Sequence, residues 1–423
     1  MRIAMVGVRG IPARTGGAER VVEQLARQLV LRGHEVLIYC RHGMVNGIGT
    51  REEGIGTREQ GRGKRGEGRG ETEEGRGKRE GENGNGNGNG NGTGNGNGHD
   101  PVRIFTPYWP GKHLEAFTHT ASAVFDALRR HVDVVHVHSP GPALLSWLPI
   151  LAGKPLVLTV HAADWQREKW HPAAQAVLRG GLWCGMHCAD AVTAVSPSLA
   201  DELEREFARP VRFVPNAVEP AQPEPVRMLP HWGLQSGRYL LHVGRLVPEK
   251  RLDLLLRCWP QSNPQSAIRN PQSGGWKLAV AGEYDESPYG RACRASGGQN
   301  VIFLGPRYGR ELAELYSHAG AVVQPGVLEG MSLVLLEAAS YGRCVVAADI
   351  PANREALGEA ALYVRPDDAA ELAGAIGRCV ECEGLRRELG ARALERSRQL
   401  PSWAAVAEIM ERIYQAAIRA EAG

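Results

Sequence analysis

The stretch "RIAMVGVRGIPARTGGAERVVEQLARQLVLRGHEVLIYC", residues 2–40, decides the fold. Its first seven residues are an almost unbroken apolar run of strand length, and the glycine-rich RGIPARTGG then turns the chain. Val21, Val22, Leu25, Leu29 and Val30 follow at helical spacing until Gly33 stops the helix, and EVLIYC is the next strand. Strands apolar on both faces, separated by a helix, belong to a parallel sheet that is covered on both sides.

Outward from this unit the alternation continues. VDVVHVH (132–138), PLVLTVH (155–161) and AVTAVS (191–196) read as further strands with helices between them. Around VRFVPNAVEPAQPEP (211–225) the pattern breaks into a proline-rich linker. It restarts with RYLLHVGR (238–245), WKLAVAGE (276–283), NVIFLG (300–305), AGAVVQPG (319–326) and CVVAAD (344–349). A chain of 423 residues exceeds one ordinary core. The expected fold is therefore α/β, with two Rossmann-like domains whose parallel sheets face one another across a cleft. The expected divisions are 1–217, 218–400, and a C-terminal helix at 401–423 that packs back on the first domain.

Two segments do not belong to that scheme. Residues 45–99 repeat GIGTRE and then run into a Gly-Asn tract with almost no apolar side chain, so burial cannot offset the entropy of ordering. They read as a disordered insert in a surface loop. Residues 261–275 repeat Asn-Pro-Gln-Ser and have the same character. The first insert is rich in Arg-Gly, but its charges nearly balance and the whole chain carries only +3, so no nucleic-acid partner is expected.

No run of eighteen apolar residues and no leader-like start is visible, which with the eight scattered cysteines suggests a cytoplasmic protein. The CxxC of Cys379 and Cys382 and the cluster Cys184, His187, Cys188 lie far apart within helical patterns, so no metal site is expected.

A nicotinamide dehydrogenase of this architecture needs G-x-G-x-x-G after the first strand and an acid at the end of the second. The turn instead reads Gly7-Val8-Arg9-Gly10, and the second strand ends in Tyr39-Cys40-Arg41. Gly16 and Gly17, just before a helix, offer backbone N–H groups suited to a phosphate or sugar hydroxyl, or else serve only a tight turn. In the second half Arg245 and Lys250 sit between a strand and a helix, where open α/β sheets bind anions. Glu329 precedes and Glu337 lies within a helix read from Gly330 to Gly342. Eight helical residues advance about 12 Å, roughly the reach of a sugar diphosphate. Glu329 would then face the sugar and Glu337 the ribose, with Arg245 and Lys250 on the diphosphate. The N–H groups of Gly330, Met331 and Ser332 would add an anion site.

These residues resemble a known family. GRLVPEKRLDLLL and PGVLEGMSLVLLEAASYGRCVVAADIPANRE look like the donor domain of retaining glycosyltransferases of family 4, which have the GT-B fold. The N-terminal GVRGIPARTGGAERVV, with HVHSPGPALL, LTVHAADWQREKW, ADAVTAVSPSLADEL and VPNAV, resembles their acceptor domain. The resemblance implies a metal-free hexosyltransferase that takes a nucleotide sugar, without further cofactor, to a glycan or lipid-linked acceptor in polysaccharide biosynthesis. It also implies that His161 lies beside the transferred sugar. Gly326 and Ala217 depart from the family's usual Ser and Gly.

Other readings are a phosphorylase or epimerase on the same fold, and a non-catalytic binding protein. The helix HLEAFTHTASAVFDALRRH (113–131) is read as core packing with a basic end, with a peripheral contact at the inner face of a membrane as the alternative. Arg167 and Lys169 face the same choice.

Overall fold

The computed structural model describes residues 1–13, 16–41, 52–54, 100–106, 114–167, 170–262, 275–284 and 287–421. Two parallel sheets form the framework. The N-terminal sheet contains β1 (Arg2–Val6), β2 (Glu35–Arg41), β3 (Glu52–Gly54), β4 (Val102–Thr106), β5 (Val134–His138), β6 (Leu156–Val160), β7 (Ala191–Ala194) and β8 (Arg212–Phe213). Its order is β3-β4-β2-β1-β5-β6-β7-β8. The C-terminal sheet contains β9 (Tyr239–Val243), β10 (Lys277–Ala281), β11 (Val301–Gly305), β12 (Ala321–Gln324), β13 (Cys344–Ala348) and β14 (Leu362–Val364), in the order β11-β10-β9-β12-β13-β14. Every pairing is parallel, with Ile3 opposite Val36 and Val134 in the first sheet and Leu240 opposite Leu278 and Ala321 in the second.

The two-domain α/β architecture read from the sequence is the one found. Four strands escaped that reading. β4 (VRIFT) follows the low-complexity segment and places the charged Arg103 at a fully buried position, which breaks the apolar signature. β8 lies inside what reads as linker, and β14 has three residues. β3 falls inside the expected insert, and its backbone pairs with β4. The rest of 45–99, residues 263–274 of the second insert, and Lys169 lie outside the described residues.

Each sheet is buried on both faces. Val21, Val22, Leu25 and Leu29 of the helix Gly17–Leu31 pack on Ile3, Met5 and Ile38. The helix Trp403–Glu421 completes this layer with Trp403, Val406, Met410, Ile413 and Tyr414. It lies on the N-terminal sheet, and Arg32 and His34 meet its Glu411. Cys379 contacts Cys344 at 3.6 Å between helix and strand, whereas Cys382 is exposed, so the CxxC is split between core and surface.

One helical expectation is only partly met. In Leu114–Arg129 the side chains of Ala123, Val124 and Ala127 are buried, but Phe117 and Phe125 are 46% and 61% exposed. The aromatic positions lie beyond the stripe that the sheet covers.

Candidate active site

In a doubly wound sheet, ligands bind outside the carboxyl ends of the strands where the order reverses. In the second sheet that point lies between β9 and β12. The chain leaving β9 carries Arg245 and Lys250, and the chain leaving β12 carries Glu329. In the first sheet β1 ends at the turn of Gly7 and β5 ends at His138, with His161 just past the end of β6. The two switch points face one another. Arg245, Lys250, Glu329, Gly330, Met331, Ser332, His161, Gly16 and Gly17 all line one cleft between the domains.

Lys250 and Glu329 form an ion pair in that cleft, with side chains 17% and 15% exposed. The charge of Lys250 is thus already matched by a carboxylate, whereas among the described residues Arg245 makes no ion pair. The loop bearing Glu329 is clasped from below, because the Val327 N–H donates to the Glu249 carbonyl at 3.1 Å. A Cβ on Gly326 would sit 3.1 Å from that same carbonyl and 3.4 Å from Glu329, so the missing side chain lets the loop lie close. The departure to glycine therefore permits this close approach. Ala217 is buried in the N-terminal core.

Gly330 brings the donor loop hard against the N-terminal domain. Any Cβ there would collide with the His161 carbonyl and with Val195, so glycine is required for the donor loop to reach His161. Asn216 closes the same seam by donating to the Met331 carbonyl at 2.8 Å. Gly16 has φ 95° and precedes the helix, while a Cβ at Gly17 would meet open space.

Glu337 is placed differently from the expectation. The helix starts at Leu333, not Gly330, so Gly330 and Met331 lie in the turn before it and Ser332 is its N-cap residue. Glu337 does not line the central cleft. It faces an adjoining recess, lined by Gln24, Tyr316 and Tyr341, that shares Arg20 and Leu333 with the cleft. There it pairs with Arg20 of the N-terminal domain. Its Oε2 is buried and lacks a hydrogen bond of good geometry, as does the nearby Tyr316 hydroxyl. Burial, then Glu337, holds that phenol well above its ordinary range.

His161 is half-buried at the wall of the cleft. Burial pushes its imidazole down to about 4, against the pull of Asp164. Asp164 also lines the cleft, but Arg167 holds it at 2.6 Å and reaches across to Glu249 at 2.5 Å. Sequence reading missed Arg20, Asp164 and Glu249, and left Arg167 undecided. Arg20 reads as an ordinary helix-surface charge, and its nearness to Gly16-Gly17 was the available signal. Arg307 and Tyr308, which follow β11 and line the cleft, obey the same strand-end rule as Arg245.

Residues 237–382 match the family model for glycosyl transferases group 1, and residues 74–222 match that for glycosyltransferase family 4. The chain belongs to the family 4-like glycosyltransferases. It is 31% identical over 185 residues to a D-inositol 3-phosphate glycosyltransferase of Corynebacterium aurimucosum, covering 42% of this chain and 43% of that protein. It is 28% identical over 309 residues to a glycogen synthase of Mycobacterium tuberculosis, covering 68% and 70%. The match thus spans less than half of the first relative. Among solved structures, a sucrose-phosphate synthase from Thermosynechococcus elongatus superposes with TM-score 0.73 at 21% identity, covering 99% of both chains. Anabaena HepE in complex with UDP-glucose gives 0.71 at 17%, covering 98% of this chain and 100% of that one. These likenesses show the GT-B fold.

No helix among the described residues is long and apolar enough to cross a membrane.

Proposed function

We propose that this glycosyltransferase moves a hexosyl group from a nucleotide sugar to a glycan or lipid-linked acceptor, with retention at the anomeric carbon, in cell-surface polysaccharide synthesis. The observation that carries the reading is the Lys250–Glu329 pair beside His161, held where the two domains meet. Lys250 and Arg245 face the leaving diphosphate, whose negative charge grows as the glycosidic bond breaks. Glu329 lies beside the reacting sugar. Glu337, whose Oε2 is buried near the Tyr316 hydroxyl, accepts from ribose hydroxyls once Arg20 gives way. Inversion would need a free carboxylate base opposite the leaving group, and Asp164, beside His161, is committed to Arg167.

A thermal-shift screen of nucleotide sugars identifies the donor, since ligand at a hundred times its dissociation constant stabilises by about 2.7 kcal/mol. Proton NMR of the product made from an α-linked donor then reads the anomeric coupling. An α product supports retention. A β product would assign Asp164 as base and overturn it.

The acceptor side favours a lipid-linked substrate. Phe117, Phe125, Trp147, Leu151 and Trp183 are exposed on contacting helices of the N-terminal domain, and Arg129 lies 4.9 Å over the Phe125 ring. Aromatic side chains beside cations suit the interface of an anionic bilayer. Co-flotation with vesicles containing anionic lipid tests this, and absence of binding at low salt would remove the membrane part of the reading.

A further inference from the structure

Two buried sets of hydrogen bonds lie between the C-terminal helix and the cleft, and the polarity of each can be read. His136 and His138 lie two residues apart on β5, with ring centroids 3.9 Å apart. His136 Nδ1 meets the Tyr414 hydroxyl at 2.7 Å, and its Nε2 meets the Thr159 hydroxyl at 2.7 Å. Thr159 meets Thr193 at 2.6 Å, and Thr193 lies 3.4 Å from the Leu158 carbonyl. A carbonyl only accepts, so the Thr193 hydroxyl donates to it and accepts from Thr159. Thr159 then accepts from His136 Nε2–H, and His136 Nδ1 accepts from Tyr414. His136 is thereby fixed as a neutral ring in one tautomer.

The second set, which meets the first only through the contact between the His136 and His138 rings, reaches the site. His138 Nδ1 lies 3.1 Å from His161 Nε2. His138 is fully buried and its Nε2 has no hydrogen-bond partner. Were His161 the donor, His138 would carry its own proton on that Nε2, leaving a stranded N–H in the core. With His138 as donor only a lone pair is stranded, and orphaned buried N–H groups are the rarer defect in proteins. The proton therefore lies on His138 Nδ1, and the neutral His161 carries its own proton on Nδ1, the ring nitrogen left for the cleft.

We infer that His138 is a positioning residue that fixes His161 in the Nδ1–H tautomer, so that His161 presents a hydrogen-bond donor, not a lone pair, to the sugar. The sugar in that statement rests on the proposed function; the tautomer does not. A ring protonated toward the cleft donates to a sugar oxygen, and it cannot take the acceptor's proton at that nitrogen. His161 is thereby excluded as general base on its cleft side.

Ring-nitrogen NMR of protein labelled with 15N-histidine tests it, with the His161 signals assigned by their loss in His161→Gln. The expected result is a protonated Nδ1 and a bare Nε2 on His161; the opposite pattern in the parent protein overturns the inference before any variant is made. Asparagine at position 138 can place an amide N–H where His138 Nδ1 lies. His138→Asn is therefore expected to keep the tautomer, while His138→Asp, which only accepts, moves the His161 proton to Nε2. In transfer assays His138→Asp and His138→Leu should lose about three- to tenfold in kcat, the worth of one neutral hydrogen bond, with donor KM little changed. His138→Asn should recover most of that loss. The same tautomer in the Asn and Asp variants would sink the inference. The expected NMR pattern without glycosyl transfer by any form would leave it standing and fail the functional reading instead.

Discussion

Arg20 of the N-terminal domain pairs with Glu337 of the donor domain, so the carboxylate proposed to hold ribose is already engaged across the domain boundary. A donor that claims Glu337 must displace Arg20. The arginine side chain is 44% exposed, and pairs of that exposure are worth about 0.2–1 kcal/mol. Arg20→Ala should therefore tighten nucleoside-diphosphate binding by up to about fivefold, as measured by titration calorimetry. Weaker binding would show instead that Arg20 belongs to the ligand's own grip.

Lys250 and Glu337 should separate in kinetics. Lys250 faces charge that develops during the reaction, and a donor so aimed is worth roughly a hundred- to thousandfold in rate. Lys250→Ala should lower kcat by that order. Glu337→Gln should chiefly raise donor KM, because the ribose does not change during transfer. Glu329→Gln should resemble Lys250→Ala. Sequence alone would also expect unchanged melting temperatures for these cleft positions. The structure revises that for Lys250→Ala and Glu329→Gln, each of which leaves a largely buried partner unpaired and should melt below the parent protein; Glu337→Gln leaves only the half-exposed Arg20 and should melt close to it. Steady-state kinetics beside thermal melts check both halves. A pure KM effect for Lys250→Ala would overturn its assignment to the leaving group.

Acid should unfold the protein before its carboxylates titrate. Burial lowers His136 to about 3 and His119, His161 and His242 to about 4, from an ordinary 6.5. Between about pH 6.5 and 4 the unfolded chain therefore binds protons that the folded chain does not. Stability is complete above pH 6.5 and is lost as pH falls through that window. Melting temperature should be flat from about pH 7 to 8 and fall steeply below about 6. A flat profile down to about pH 4.5 would show that these rings charge within the fold.

How much of this was legible follows from what each signal measures. Apolar strands such as Tyr239–Val243 and Cys344–Ala348 announce themselves because both faces are buried, and the strand-end rule then finds Lys250 and Glu329 without a structure. The position of Glu337 was only half legible. The sequence gives its distance along a helix, but the helix starts three residues late and its orientation sends the acid into a neighbouring recess. Arg20 and Glu249 could not be found from spacing, because their partners lie 317 and 82 residues away and depend on how the domains meet. The role of His138 needed a buried nitrogen without a partner, which no pattern encodes.

Arg167 should matter to both stability and turnover. Its guanidinium bridges Asp164 in its own domain and Glu249 in the other, and Glu249 is only 3% exposed. The Glu249 backbone in turn carries the loop of Gly326 to Glu329 through Val327. Removing one partner of a buried charge pair costs about 3–5 kcal/mol. Arg167→Met should therefore lower the urea midpoint clearly and reduce kcat as the Glu329 loop loses its anchor. Replacing both residues, Arg167→Met with Glu249→Met, removes both charges and should return most of the stability, because apolar pairs of similar volume often substitute without loss. Turnover should stay low in the double variant if the guanidinium also orders Asp164 beside His161. Urea denaturation and steady-state kinetics on the three proteins decide it, and an Arg167→Met protein as stable as the parent would remove this bridge from the account of how the domains hold together.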